Sequence, residues 1–444
     1  MKGSKHMHNY YRQFSICFAV ALGLGLSSPV KAQMRDSLRL RLSLEECIAY
    51  ATNQQPFVQQ AKIDEAITER IIKSKLADWY PQINLGYNVQ HYLQLPSVTN
   101  PLALKNSSAT TVSFTQNIFN SDVWLASKTA GDVRLASRQN TQLSKIDMVV
   151  GVSKAFYDVL LTQRQIEILD QDILRLKKTL KDATTQYQAG TSDKTDYQRA
   201  TITLNNAMAA KKQYEELLKG KLAFLKQQIG YTGSEGLELV YNNQKLVDEI
   251  QLNPIDPLSY QTRVEFQQLK TQKDLLQFNL KYAKWSYLPT VSLFGYYNMV
   301  GQNNALSKIY TTGFPNSLVG VSLTVPIFQG TKRIQQIKLA ELELRRLDWD
   351  FQNLKASINT EYTSALATYK ASLNDYIVSK NNLSLAQEVY TTIQLQYTSG
   401  VKTYLDMIVA ETDLRTAEVS SLDALYQVLS SKLDVQKAAG TINY

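Results

Sequence analysis

The chain has 444 residues, with 48 Lys plus Arg against 39 Asp plus Glu, three His and two Cys. Its formal net charge of +9 falls to +5 once residues 1–32 are set aside, because Lys2, Lys5, Arg12 and Lys31 go and no acid goes with them; that mild, dispersed excess is no nucleic-acid footprint. The same step leaves His91 and Cys47 as the sole imidazole and thiol, which excludes an internal disulfide, excludes a nitrogen/sulfur zinc site without further partners, and argues against a routine histidine-based triad.

Residues 1–32 read as a secretory signal. Lys2, Lys5 and Arg12 form a basic start, Phe14 to Leu26 an apolar core, and Val30-Lys31-Ala32 a small-residue cleavage site. No later run of eighteen apolar residues exists, so no membrane-spanning helix is expected. From Leu44 to Asp78 apolar residues recur at helical spacing, interrupted near Pro56 and ended at Pro81, and Cys47 falls on the apolar side of that pattern. The period then drops to two. Ile83, Leu85, Tyr87 and Val89 alternate with Gln and Asn, a Pro/Asn/Ser-rich loop follows, and Val112 and Phe114 alternate with Ser113 and Thr115 up to Ile118-Phe119. A long helix is expected over 121–188, ended by Gly190, with a return helix over 193–229 ended by Gly230.

The same order then recurs. A first repeat spans 33–230, with its strand–loop–strand unit at 81–119. A Gly/Asn/Pro-rich segment at 231–256 has no counterpart and is expected to form a small irregular side structure. A second repeat spans 257–444, with a strand–loop–strand unit at 289–327, a long helix at 331–399 and a return helix at 401–439. Val291 and Leu293 share one face of its first strand, Val321 and Leu323 one face of its second, and the loop between is expected from Gly301 to Asn316. Tyr187-Gln-Ala-Gly190 returns as Tyr397-Thr-Ser-Gly400, a shift of 210 residues or thirty heptads, and each glycine is followed six residues later by an aspartate, Asp196 and Asp406. Seams at Val152, Val159, Ile166, Ile173 and Leu180 reappear as Tyr362, Tyr369, Tyr376, Leu383 and Tyr390. A strict seven-residue repeat makes helices supercoil left-handedly. The fold class is therefore mixed and mainly α, a tandem duplication on coiled-coil-like rods of roughly 100 Å each.

Two-faced strands suit either an outer-membrane barrel or soluble hairpins packed on helices. Four strands cannot close a barrel in lipid, because open edges leave N–H and C=O groups unpaired. Strands in a membrane would need copies that share one barrel, eight strands in a dimer or twelve in a trimer.

The paired Tyr-x-x-Gly-x5-Asp elements at 187–196 and 397–406, the helix-ending Pro81 and Pro289, and the Ile-Phe pairs at 118–119 and 327–328 together resemble the TolC-like outer-membrane efflux protein family over essentially the whole chain past the signal. The resemblance implies a homotrimer whose twelve strands form one barrel in outer-membrane lipid, continued by a helical tunnel across the periplasm of a Gram-negative bacterium. It implies a passive exit duct, opened by docking to a periplasmic adaptor and an inner-membrane pump. It places a closing latch at Thr195, Asp196, Tyr397 and Lys402, tip turns at Gly190 and Gly400, and an entrance ring of acids at Asp406. A second acid expected three residues on is Val409 here, and Glu411 lies out of register. The strand residues Ile83, Leu85, Tyr87, Val89, Val291, Leu293, Val321 and Leu323 would face lipid. No catalysis, metal or cofactor is expected, and no Gly-rich phosphate loop is present. The alternative is a soluble periplasmic coiled-coil scaffold or adaptor protein, which would share the signal and the helices. The Tyr362–Tyr397 stripe could line a path for cargo, but a seam position favours packing.

Overall fold

The computed structural model describes residues 40–95, 104–233, 236–241, 243–252 and 258–443. The signal at 1–32, the crest of the first strand–loop–strand unit (96–103), the start of the second repeat at 257 and parts of the inter-repeat segment lie outside the described residues.

Strand β1 (Leu40–Leu42) leads into α1 (Leu44–Gln54). Ser43 starts that helix with a reciprocal cap: its hydroxyl accepts from the Glu46 N–H (3.3 Å) and the Glu46 carboxylate accepts from its own N–H (2.7 Å). Pro56, which lacks an N–H and so fits a first helical turn, opens α2 (Pro56–Leu76). Strands β2 (Gln82–His91) and β3 (Asn106–Phe119) follow, then α3 (Ser121–Gln188) and α4 (Lys194–Ile229). Asn120 caps α3 by accepting from the Asp122 N–H at 2.7 Å. Between the repeats lie β4 (Leu237–Leu239) and α5 (Asn243–Asp248). The second repeat adds α6 (Val264–Trp285), β5 (Thr290–Asn303), β6 (Gly313–Thr324), α7 (Lys332–Thr398) and α8 (Tyr404–Ala439).

The helices form two long antiparallel pairs, α3 with α4 and α7 with α8, joined along α3 and α8; α2 and α6 pack beside α3. At 68 and 67 residues, α3 and α7 are each about 100 Å long. The main core lies midway along the rods. Cys47 and Val58 meet Phe156 and Leu160 of α3, Leu225 of α4 and Leu429 of α8 there, all nearly inaccessible. A side chain such as Phe156 contributes about 2–3 kcal/mol by leaving water. The seams Val152, Val159, Ala155 and Leu176 are buried, and so are Tyr369 and Tyr390 of the tyrosine stripe. The Tyr369 hydroxyl donates to the Ile250 carbonyl (2.9 Å) and accepts from the Leu252 N–H (3.3 Å), which pins the inter-repeat segment to α7.

Several expectations are corrected. Segment 231–256 is not irregular throughout. β4 pairs in parallel with β1, Leu40 with Leu237 to Leu42 with Leu239, and Arg41 bridges Glu238 at 2.9 Å. Three-residue strands are too short to show a period, and the partner is some two hundred residues away in sequence. The loop expected from Gly301 to Asn316 is shorter, because β5 runs on to Asn303 and β6 begins at Gly313. Pro315 lies inside that expected loop. It sits instead in β6 as the third residue of the strand, opposite Met299 of β5. Ile327 and Phe328 lie beyond β6 and are exposed, whereas Ile118 and Phe119 are inside β3. The return helices start at Lys194 and Tyr404, later than expected at 193 and 401, since Asp193 and Thr403 serve as their N-caps.

Candidate functional site

Two regions bear on function, the sheet at one end of the rods and the helical turns at the other. The sheet is antiparallel in the order β2-β3-β5-β6. Directly paired residues share a face, so the register sorts the side chains. Ile83 pairs with Phe114, Leu85 with Val112, Phe114 with Gly295, and Gly295 with Val319. Leu293 pairs with Val321 and Val291 with Leu323. All eight strand residues singled out by sequence therefore lie on one face. Tyr297, Met299 and Val319 join them, and most of the set is exposed. The opposite face carries Asn84, Asn88, Thr111, Ser113, Asn298, Ser322 and Thr324, joined by the apolar or aromatic Phe294, Tyr296, Val300, Phe314 and Leu318. Thr111 donates to the Asn298 side chain at 3.0 Å across that polar face. The outer strands β2 and β6 each have one side without a partner strand among the described residues. Aromatic rings crowd the junction of sheet and rods, where Trp124 of α3 stacks on Trp285 of α6 at 4.3 Å and the Arg333 guanidinium lies 4.9 Å over Tyr287.

At the far end, both turns are built alike. Gly190 and Gly400 take φ of 73° and 76°, a left-handed conformation that glycine adopts without a Cβ penalty. The Thr191 N–H then reaches back to the Gln186 carbonyl (2.9 Å) and the Val401 N–H to the Gln396 carbonyl (2.8 Å), satisfying carbonyls at each helix end. Asp193 caps α4 by accepting from the Thr195 N–H at 3.2 Å. Thr403 caps α8 and exchanges bonds with Asp406: the Thr403 N–H (3.0 Å) and hydroxyl (2.8 Å) donate to the carboxylate, and the Asp406 N–H returns to the hydroxyl at 3.3 Å. The Thr403 hydroxyl, then its N–H, hold the Asp406 carboxyl below the usual carboxylate range.

The latch positions gather at these turns without all meeting. Tyr397 of α7 donates to Gln186 of α3 at 3.2 Å, a hydrogen bond that joins the two repeats at the tip. Burial raises the Tyr397 phenol above its ordinary range, with a smaller push from the charges of Asp182 and Asp196. Lys402, in the turn just before α8, lies 3.9 Å from Asp406 in the first turn of that helix. Among the described residues no hydrogen bond or ion pair joins Lys402 to Thr195 or Asp196 within one chain. Tyr404 packs edge-on against Tyr397 with ring centres 6.4 Å apart, and with Ala183 and Ala200 it forms a small apolar plug at the tip.

Sequence reasoning missed a charged cluster farther along the α3–α8 contact. It comprises Asp172 and Arg175 of α3 with Glu411, Arg415 and Glu418 of α8. The available signal was a spacing: Glu411 and Glu418 are seven residues apart, so two acids share one line of a helix that packs by sevens. Elsewhere, Cys47 is a free, buried thiol pushed up to about 12, first by burial and then by the charge of Glu46. His91 Nδ1 lies 2.7 Å from the Asn106 side-chain oxygen at the edge of the sheet, beside no cluster of ligands. Among the described residues no group of three or more His, Cys, Asp or Glu could hold a metal ion, and no helix is long and apolar enough to cross a membrane.

Both halves of this architecture match one family model, described as outer membrane efflux protein, over residues 48–231 and 259–441. The chain is 22% identical over 441 residues to the outer membrane protein TolC of Escherichia coli (strain K12), covering 96% of this chain and 86% of that one. It is likewise 22% identical over 387 residues to TolC of Vibrio cholerae serotype O1, covering 85% and 86%. The fold is also that of the CmeC outer membrane channel of Campylobacter jejuni, with a TM-score of 0.73 at 15% identity over 90% of this chain and 85% of that one.

Proposed function

The chain belongs to the outer membrane efflux protein family, and from that premise we propose that three copies build one passive exit duct through the outer membrane and the periplasm. The observation that carries this reading is the four-stranded sheet with segregated faces and two open edges. In hydrocarbon each unpaired edge group costs several kcal/mol, so the sheet needs neighbours. In a four-stranded antiparallel sheet the outer strands run in opposite directions. A second copy's β2 laid beside β6 therefore continues the antiparallel order, and three copies give twelve strands. The apolar face then meets lipid and the Asn/Ser/Thr face lines a watery lumen.

The rods support the same assembly. α3 is covered by α2, α4, α6 and α8, whereas α7 leaves Leu339, Leu342, Trp349, Leu385 and Leu395 exposed in a single chain. Such residues suit contact with a neighbouring copy around a helical tunnel. The tip closes where α8 and Tyr397 meet α3, and opening must break those contacts. Among the described residues Lys402 lacks an acid across the repeats in its own chain, and Asp196 lacks a base, so the pair fits a bridge between copies. Asp406 supplies one fixed negative charge per copy, three around a narrow mouth. The duct has no energy source of its own. An inner-membrane pump and a periplasmic adaptor docked on the rods would supply it.

The test is single-channel recording in planar bilayers. Asp196→Ala and Lys402→Ala each loosen the tip and raise conductance by a factor of a few over the parent. Unchanged conductance in both variants would remove the latch.

A further inference from the structure

Glu411 is 2% exposed, on the side of α8 that meets α3. Charged and titratable groups reach it from every helix packed there. From α3 come Asp172, 1% exposed, and Arg175; from α7 comes Tyr390; on α8 itself lie Arg415, Glu418 and the Tyr404 hydroxyl. Arg175 is the hub. Its guanidinium sits 3.2 Å from Asp172, 3.7 Å from Glu411 and 3.6 Å from Glu418, and 5.9 Å from the Tyr390 ring centre. Arg415 reaches Asp172 at 3.5 Å.

Three carboxylates share two guanidinium groups, which leaves one surplus negative charge in a cluster whose Asp172 and Glu411 carboxylates are buried while Arg175, Arg415 and Glu418 are partly exposed. Neither oxygen of Glu411 has a hydrogen-bond donor, and the buried Tyr404 hydroxyl has no partner. A buried charge is tolerated when paired and hydrogen-bonded, and Glu411 is only loosely paired. One proton neutralises the set.

We propose that Glu411 is a proton-responsive wedge between α3 and α8: neutral, it lets the helices close near the tip; ionised, it loosens them. The proposal rests on the reading that the tip opens by breaking the α3–α8 contact. Its position fits that role, since it lies seven residues, about two turns, from Tyr404 in the apolar plug. Burial first, and then the charge of Asp172, raise the Glu411 carboxyl from 4.5 to about 7, against the pull of Arg175 and Arg415. The sign follows. Below the ordinary value the carboxyl is neutral whether the helices are packed or apart, and closure carries no penalty. As pH rises, the separated helices ionise first, so closure weakens until the packed carboxyl also ionises near 7, and then the effect levels off. Linkage with these two values gives about a tenfold shift toward the loosened state between pH 6 and pH 8, and almost none above.

The experiment is amide hydrogen exchange on the full chain in detergent, following residues 404–418 and 170–180 from pH 6 to pH 9, corrected for the intrinsic rate. In the parent, exchange there rises about tenfold to pH 8 and then flattens. Glu411→Gln, nearly isosteric and always neutral, gives a flat profile that lies below the parent's even at pH 6. Asp172→Asn, which removes the repelling charge, moves the midpoint to lower pH. A flat parent profile, or the same rise in Glu411→Gln, overturns the proposal. Parallel bilayer recordings expect more frequent opening over the same range in the parent and not in Glu411→Gln. Local loosening without that change overturns the link to the gate. A particle that conducts at no pH contradicts the duct itself, while the exchange profile still decides the wedge.

Discussion

Asp406 is held by its own helix before it acts on any ion. The bonds from Thr403 fix its carboxylate at the start of α8 and keep it ionised, where the helix dipole also favours an acid. Its charge at the tip is thus constant across working pH, unlike that of Glu411. Asp406→Asn removes the charge but keeps an oxygen for the cap. Block of the channel by multivalent cations should weaken while the fold persists, read as the blocking concentration in bilayers; equal block in variant and parent would count against a ring of acids. Cys47 offers a second check. Buried against the α3 core, with its thiol pushed up to about 12, it stays protonated and shielded at pH 8. Maleimide should label it only after denaturation, and rapid labelling of the native particle would place the first helix elsewhere.

At the scale of elements, the sheet divides by face. An arginine facing lipid near the middle of a barrel strand costs about 2–4 kcal/mol, whereas lumen positions accept charge. Leu85→Arg and Val321→Arg should therefore lower the amount of assembled particle recovered from membranes. Asn84→Lys and Ser322→Lys should leave that amount unchanged and shift ion selectivity toward anions. Similar losses in both sets would mean that the faces do not differ. This alternation was readable in the sequence because strand residues report their face every second position, and Ile83, Leu85 and Val89 do so without interruption. The long rods were readable for the same reason, with a period of seven. Other features were hidden by length or distance. The three-residue β1 and β4 have no period to detect. Pro315 fell inside the expected loop, and only the pairing with Met299 showed it to be a strand residue. The Asp172–Arg175–Glu411 cluster joins helices more than two hundred residues apart, and charges at seam positions look like solvated surface until a partner helix covers them.

For the whole molecule, one chain is an incomplete object. Among the described residues its sheet ends in two open edges, its longest second-repeat helix keeps apolar residues in solvent, and Lys402 and Asp196 find no partner across the repeats in the same chain. A three-fold assembly would complete all of these at once, with strands joined edge to edge, α7 covered, and latch residues brought to the neighbouring copy. A soluble scaffold would leave an exposed apolar sheet face with nothing to cover it. The direct measurement is the mass of the detergent-solubilised particle, taken together with its symmetry in low-resolution images. The account expects three chains per particle, a stubby cap holding the sheet, and a rod of about 100 Å. A monodisperse single chain, stable in buffer without detergent, would contradict it.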